Sequence, residues 1–492
     1  MIHRQYHHGD GGLQVNVAMT PAASRRGVLA AVSVALFCIQ LDFFALNLAL
    51  PGISESFHSS AQATQWTISA YMLALGSMFI VGGRLGDVFG RRPVLLWGIG
   101  IFLLSSVGAA VAPDMGSLIA FRVIQGIGAA FIFPVGVSAV SNAFPDSVRA
   151  RALGLTFGLA NLGTALGPFV GGGLAGGPGW RWIFWVLAAL AAACFLLAAR
   201  FVLDSRDAAA DRHLDLPGAV LIAAGVGLVS LGFIQGSSWG WTSLATWLCF
   251  AGAGICFVVF VLRERLVQHP LVDLRLFRNL PYVLVMTTGA VGNVLYAVTV
   301  FVESLYLQDV RGLSPLLAGT LFLAPALMVA LSGPIGGRLA SRFQPSAVMI
   351  AAALTAGVAV FCLTFVVSWG AFVTVFAVAG LGLGLGYTFV NVATQDLVPL
   401  ERTGEASGVV LTVVVTMGGI GVALAATIIS GFQHGGHGLA DAYAATLRIF
   451  AAICFGWAVI VLGARAVLVR RGNMAPLLKR PTPSGDRSAL AS

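Results

Sequence analysis

The sequence predicts an all-α integral membrane protein in which two bundles of six transmembrane helices flank an inserted pair, fourteen spans in all. Three observations carry this: a composition suited only to a bilayer, basic residues confined to alternate loops, and an internal repeat that aligns one half of the chain with the other. Of the 492 residues 58% are hydrophobic and 10% charged, and the mean hydropathy is +0.92. Soluble domains carry roughly 25% charged residues. One anchor helix does not account for that deficit, so the chain is membrane-embedded along its length.

A spanning helix needs about 20 mostly apolar residues. Runs of that kind cover Val28 to Leu50, Thr64 to Val81, Val94 to Ala112, Ser117 to Ala139, Ala152 to Ala175, Trp182 to Phe201 and Leu216 to Gln235. Seven more cover Leu244 to Leu262, Tyr282 to Leu305, Leu316 to Ile335, Ala347 to Val367, Phe372 to Ala393, Ala406 to Ser430 and Ala445 to Leu468. The first run is too long for the apolar core of a cleavable signal and reads as an anchor.

With the N-terminus placed in the cytoplasm, 24 of the 28 Lys and Arg fall in cytoplasmic segments or at their helix ends. Arg181 and Arg311 lie outside, while Arg122 and Arg448 lie within helices 4 and 14. This is the positive-inside pattern, and an even number of spans returns the basic tail to the same side. Both termini are therefore expected in the cytoplasm. The Arg-rich, Ala- and Gly-rich composition fits a GC-rich bacterial genome, hence a bacterial inner membrane.

The repeat fixes the organisation. Gly82-Gly83-Arg84-Leu85 returns as Gly336-Gly337-Arg338-Leu339, a shift of 254 residues. At the same shift Gly126 and Gly128 meet Gly380 and Gly382, Pro145 meets Pro399, Gly154 meets Gly408 and Gly167 meets Gly421. Helices 1 to 6 thus correspond to helices 9 to 14, as parallel repeats about an axis along the membrane normal. The resulting divisions are a tail at 1–27, a six-helix bundle at 28–203, linkers with helices 7 and 8 at 204–280, a second bundle at 281–470 and a disordered tail at 471–492.

Other classes fit poorly. The net charge of +9 is spread over short loops and forms no stripe with interleaved aromatics, so nucleic acid is not the partner. The six cysteines lie in apolar runs without paired spacing, which excludes disulfide and zinc frameworks. His3, His7 and His8 read as part of a frayed tail, and no metal or other cofactor is expected. The run Gly380 to Gly386 lacks the Lys-Ser/Thr of a phosphate loop and lies inside a span, so ATP is not the energy source. No loop is long enough for a sensor's output domain, no repeated pore loop marks a channel, and no histidine lies at membrane depth for an enzyme.

The functional candidates are charges and glycines. A charge at a helix centre costs at least ~2.5 to 3.5 kcal/mol, so it should face a partner or a cavity. Asp42 and Arg122 are the clearest cases, with Glu303 nearer the outer end of helix 9. Low dielectric favours the neutral form of a carboxylate and a nearby guanidinium the charged form, so a carboxylate whose partner moves can trade protons. The plainer readings are a static Asp42–Arg122 pair and a solvated Glu303 at the mouth. Asn47, Asn161, Asn293 and Asn391 either line a cavity or make interhelical hydrogen bonds, and aromatic residues near Asp42 offer a pocket for flat or cationic molecules. Between helices 2 and 3 the segment Gly82 to Arg92 combines Gly83 and Gly90, which permit close approach of helix ends, with Arg84, Asp87, Arg91 and Arg92. In helix 5, Gly163, Gly167, Pro168, Gly171 and Gly172 bare the backbone and remove one hydrogen bond, so the helix should pack closely, kink and serve as a hinge.

Gly82 to Arg92 resembles the signature loop of the major facilitator superfamily, G-x-L-a-D-r-x-G-r-r, with Val88 where the family usually has Arg or Lys. Leu41-Asp42-Phe43-Phe44-Ala45-Leu46-Asn47-Leu48-Ala49-Leu50-Pro51 resembles the helix 1 motif L-D-x-T-V-V-N-V-A-L-P of its 14-helix drug:proton antiporters. Arg122 with Gly126 and Gly128 resembles the helix 4 motif, Gly163 to Gly172 the antiporter motif of helix 5, and Leu307 to Pro315 a segment typical of the same branch. Together these cover Val28 to Leu468. The resemblance implies a major facilitator fold and a monomeric secondary transporter that exports small amphipathic or cationic molecules in exchange for protons by alternating access, with no enzymatic activity. It implies that Asp42 is the main proton and cation site with Arg122 as its partner, and that Asp87 engages the start of helix 13 around Gly404 to Gly408. A dedicated exporter of one self-made antibiotic or metabolite is the alternative, ahead of a non-transporting sensor or channel.

Overall fold

The computed structural model describes residues 22–203, 215–268, 270–340, 342–398 and 402–470. His3, His7, His8, the tail at 471–492 and most of the linker after helix 6 lie outside the described residues. Among the described residues there are helices and turns and no strand. The fourteen long helices are α1 (Ala22–Ala45), α2 (Ala61–Phe89), α3 (Arg91–Ala110), α4 (Met115–Ala143), α5 (Asp146–Gly176), α6 (Arg181–Phe201) and α7 (Leu216–Trp239). They continue as α8 (Leu244–Leu266), α9 (Leu280–Leu305), α10 (Leu323–Ala340), α11 (Pro345–Leu363), α12 (Trp369–Asp396), α13 (Thr403–His434) and α14 (Leu439–Arg470). Thirteen apolar stretches in these helices are long enough to cross a membrane, and α11 contributes the shorter fourteenth.

Three spans differ from the sequence expectation. The first is continuous only to Ala45, after which the chain turns through a 3-10 segment, Leu46–Ala49, into a short helix, Leu50–Phe57, with Pro51 in its first turn. Proline is tolerated there because its missing N–H has no intrahelical partner at a helix start. Helix 10 is preceded by a separate short helix, Pro315–Leu321. The segment Gly82 to Arg92 is not a loop: α2 runs on to Phe89, and Gly90 alone separates it from α3. Gly90 has φ +101°, a conformation that side-chain-bearing residues rarely adopt.

Helix pairs recur in the two halves. In the first, α1 packs on α5 and α6, α2 on α4, and α3 on α4 and α6; in the second, α9 packs on α13 and α14, α10 on α12, and α11 on α12 and α14. The halves meet along α2 with α13 and α5 with α10, which the 254-residue shift makes equivalent. Lipid gives helices no hydrophobic reason to associate, so such contacts rely on close packing of small residues. At the Arg-rich end the backbones touch. A methyl added at Gly83 would strike the Gly404 carbonyl, and one at Gly408 would lie 2.6 Å from the Phe79 carbonyl oxygen. On the other seam, methyls at Gly154 and Gly333 would each strike the other's carbonyl.

The inserted pair breaks this symmetry. Helices α7 and α8 pack on each other, and α7 lies against both α2 and α13, covering one seam only. Asp215 caps α7 by accepting from the Gly218 N–H at 3.1 Å, and pairs with Arg263 of α8 at 2.8 Å. Burial raises the Asp215 carboxyl, but the hydrogen bond from Arg263 and the Gly218 N–H outweigh it and leave it below the usual carboxylate range.

Two predictions follow from this packing. Gly154→Val and Gly333→Val should each lower stability by about 1–3 kcal/mol through overpacking, whereas Gly173→Val, which meets nothing within 4 Å, should not. Thermal unfolding in detergent checks both. The stability contributed by Asp215 should be fully present above the unfolded-chain value of about 3.9 and vanish as pH falls through its lower folded value. Arg263 is 37% exposed, so solvent screening keeps the contribution small. The gap in unfolding temperature between wild type and Asp215→Asn should therefore hold from pH 7 to about pH 4 and close only below it.

Candidate functional site

The Asp42–Arg122 pair sits inside the first half. Arg122 donates from Nη1 to both Asp42 carboxylate oxygens, at 2.8 and 2.7 Å. The same nitrogen reaches Gln125 Oε1 at 2.6 Å, and Nε donates to the Thr67 carbonyl at 2.7 Å. The guanidinium lies 4.2 Å from the centre of the Tyr71 ring, and Gln125 is held in turn by the Ser106 hydroxyl at 2.8 Å. Both Asp42 and Arg122 are 0% exposed. Four helices, α1 to α4, thus supply one charge pair and its cage. Helical spacing places Gln125 one turn from Arg122, a signal present in the sequence; nothing in it marked Thr67, Tyr71 or Ser106 as partners.

Asp42, expected to be the main proton and cation site, is enclosed by its own half and paired with Arg122. Phe43 and Phe44 stack edge to face at 4.7 Å against each other. The Asn47 and Pro168 side chains lie outside the described residues.

Glu303 is 2% exposed rather than solvated at a mouth, and its Oε2 has no hydrogen-bond partner among the described residues. It lies one residue-turn before a π-helical segment, Tyr306–Val310, a feature frequent at functional sites. Nearby, the Tyr443 hydroxyl donates to Asp309 at 2.7 Å, and Arg311 donates to the Tyr306 hydroxyl at 3.1 Å.

At the Arg-rich end, the Asp87 side chain caps a helix of the opposite half. Its Oδ2 accepts from the Glu405 N–H of α13 at 2.7 Å. Arg91 donates to Asp87 at 3.1 Å, to Thr403 at 3.3 Å and to Ser138 at 2.6 Å, and the Ser138 and Thr403 hydroxyls are hydrogen-bonded at 2.5 Å. Five residues from α2, α3, α4 and α13 therefore form one buried network. Arg92 is not part of it: it donates to the Ala199 carbonyl of α6 at 2.7 Å. Arg84 is half-buried on α2, and Val88 is buried.

The helix 5 glycines pack α5 on α1. Methyls at Gly163, Gly167 and Gly171 would meet Phe37, Phe44 and Ala45 respectively. Their spacing of four keeps them on one face. Helix α5 runs unbroken from Asp146 to Gly176, and Gly172 is half-buried. Among the asparagines, Asn293 donates to the Val414 carbonyl at 2.8 Å and ties α9 to α13, while Asn391 bonds the Tyr387 carbonyl of its own helix at 2.9 Å. Asn161 is buried with its Nδ2 unpartnered.

Two like bundles facing each other, one carrying a buried charge pair, define a polytopic membrane carrier. The family model described as Major Facilitator Superfamily matches residues 32–422 and, in a second match, 284–485. The chain belongs to the major facilitator superfamily and groups with its drug and antibiotic exporters; it is a transporter, not an enzyme. It is 31% identical over 428 residues to the tetracenomycin C resistance and export protein of Streptomyces glaucescens, covering 83% of this chain and 77% of that one. It is 32% identical over 386 residues to the multidrug resistance protein Stp of Mycobacterium tuberculosis, covering 77% and 71%. The methylenomycin A resistance protein of Streptomyces coelicolor is 29% identical over 440 residues, covering 86% and 91%. The human organic anion transporter MFSD10 shares the fold, with a TM-score of 0.66 at 16% identity over 89% of this chain and 99% of that one.

Removing Arg122 leaves the Asp42 charge buried without compensation, a change that costs about 3–5 kcal/mol. Arg122→Gln should therefore be strongly destabilised in detergent unfolding. Adding Asp42→Asn to it should recover most of the loss, and a double-mutant cycle measures the coupling.

Proposed function

We propose that this protein exports small amphipathic molecules in exchange for protons by alternating access. The observation that carries the reading is the caged Asp42–Arg122 pair, an ionisable pair held at membrane depth inside one of two facing bundles. Such residues are expensive in a bilayer and mark proton relays. Release of Asp42 from Arg122 favours proton uptake, and re-formation of the pair favours proton loss. Glu303, buried and with its Oε2 unpartnered among the described residues, is a second candidate for proton binding in the other half.

The Arg-rich end lies in the cytoplasm by the positive-inside rule, so both termini are cytoplasmic and the backbone seams close the cytoplasmic side. The protein works as a monomer in a bacterial inner membrane. The Asp87 cap on α13 holds this closed state, and its loss frees the halves to part. Substrate occupies the space between the halves; Asn161 of α5, buried and with its Nδ2 unpartnered among the described residues, is a candidate amide donor to it. The names of the relatives support drug and antibiotic cargo, and include both a multidrug protein and proteins tied to single antibiotics.

In energised inside-out vesicles, Asp42→Asn should abolish proton-coupled uptake of a transported dye while the variant still inserts and folds. Undiminished gradient-driven transport by that variant overturns the assignment. A panel of dyes, biocides and antibiotics tested on an efflux-deficient host separates a broad exporter from one devoted to a single compound.

A further inference from the structure

The inserted pair is wired into the Asp87 network through the side chain of Glu405, for which the sequence suggested no partner. Glu405 lies in the first turn of α13 and is 2% exposed. Its N–H binds Asp87 of α2 at 2.7 Å, while its side-chain Oε1 accepts from the Asp273 N–H at 2.6 Å. Asp273 belongs to the connector between α8 and α9, and its carboxylate pairs with Arg402, just before α13, at 2.5 Å. One residue thus holds the first half with its backbone and the connector with its side chain.

The connector is fastened at both of its ends. On the α8 side, Glu264 is buried and accepts from the Val272 N–H at 3.2 Å. On the α9 side, the Tyr282 hydroxyl donates to the Ala406 carbonyl at 3.0 Å. Leu271 and Val272 are buried in a single apolar cluster with Val81 of α2, Ile222 of α7, Phe260 of α8 and Val409 of α13. Among the described residues nothing equivalent covers the α5–α10 seam, where the shift of 254 residues puts Arg151 at the position of Glu405. The two seams that the repeat makes alike are therefore held differently.

We propose that Glu405 is a positioning residue through which the α8–α9 connector braces the start of α13 beneath Asp87, so that the inserted pair α7–α8 biases the protein toward the state closed at the Arg-rich end. The proposal rests on the alternating-access reading above. It assigns helices α7 and α8 a role in setting the balance between access states rather than in binding cargo.

The test reads distance, not transport. Spin labels at Val148→Cys and Phe343→Cys, which are 41% and 55% exposed on opposite halves at the Arg-rich end, report its opening in a full-length background with the six native cysteines replaced. In nanodiscs without substrate or gradient, Glu405→Ala should raise the ratio of long to short distances about tenfold, the effect of losing one buried hydrogen bond. Asp273→Pro removes the N–H donor at a residue whose φ of −70° suits proline, and should shift the distances likewise. Asp273→Ala keeps that N–H and should shift them less, while Glu405→Gln keeps an acceptor and should restore the wild-type distribution.

Asp87→Asn serves as the reference for an opened gate. Wild-type distances in Glu405→Ala, beside opening in Asp87→Asn, overturn the brace and leave the gate and the coupling reading intact. Wild-type distances in both overturn the brace together with the gate. Opening that Glu405→Gln fails to restore also overturns it, since the hydrogen bond is then not the cause. Opening in Glu405→Ala that Glu405→Gln reverses supports the brace even where gradient-driven transport fails, a failure that counts against the coupling reading alone.

Discussion

A helix start leaves its first backbone N–H groups without partners, and one buried between two bundles has no water to satisfy them. At the start of α13 that need is met by a side chain from the other half of the molecule, because Asp87 accepts from Glu405. The carboxylate also meets the positive end of the helix dipole. Capping and docking are therefore one interaction: the halves cannot part at this end without exposing an uncapped helix. Arg91 of α3 binds the same carboxylate and is itself held by Ser138 of α4 and by Thr403 at the start of α13.

The glycines make that approach possible. Gly83 brings the α2 backbone against Gly404, and the repeat places Gly154 against Gly333 on the opposite seam. Yet the second copy of the signature segment carries Ser341 where the first has Asp87. Shape is thus duplicated while charge is not. The second seam relies on backbone packing, and the first adds a capped helix and the inserted pair.

Much of this was legible in the sequence, for reasons that differ by residue. Span count followed from apolar length, and the partners of the two halves from a shift of glycines whose spacing survives because backbone contact tolerates no side chain. The Asp42–Arg122 pairing followed from the cost of lone charges in a bilayer. The cage around it did not, since Thr67 contributes only a carbonyl and carbonyls leave no mark on a sequence. Glu405 lies within the stretch Gly404 to Gly408 expected to meet Asp87, but the role of its side chain was missed because its partner is the backbone N–H of Asp273. The reach of α2 to Phe89 was missed because glycine and charge read as loop until Asp87 is seen capping another helix.

Every partner that holds Arg122 belongs to the first half, so a rocking of one rigid half against the other leaves those distances untouched. A change in the protonation of Asp42 can be transmitted only by deforming that half from within. The compliant place for this is α1 itself, whose regular hydrogen bonding gives way to a 3-10 turn four residues beyond Asp42. Against that turn lies the Gly171 face of α5, and α5 is also the helix that meets α10 across the seam. The break in α1 thus sits between the enclosed charge pair and a helix that touches both the cage-bearing α1 and the opposite half.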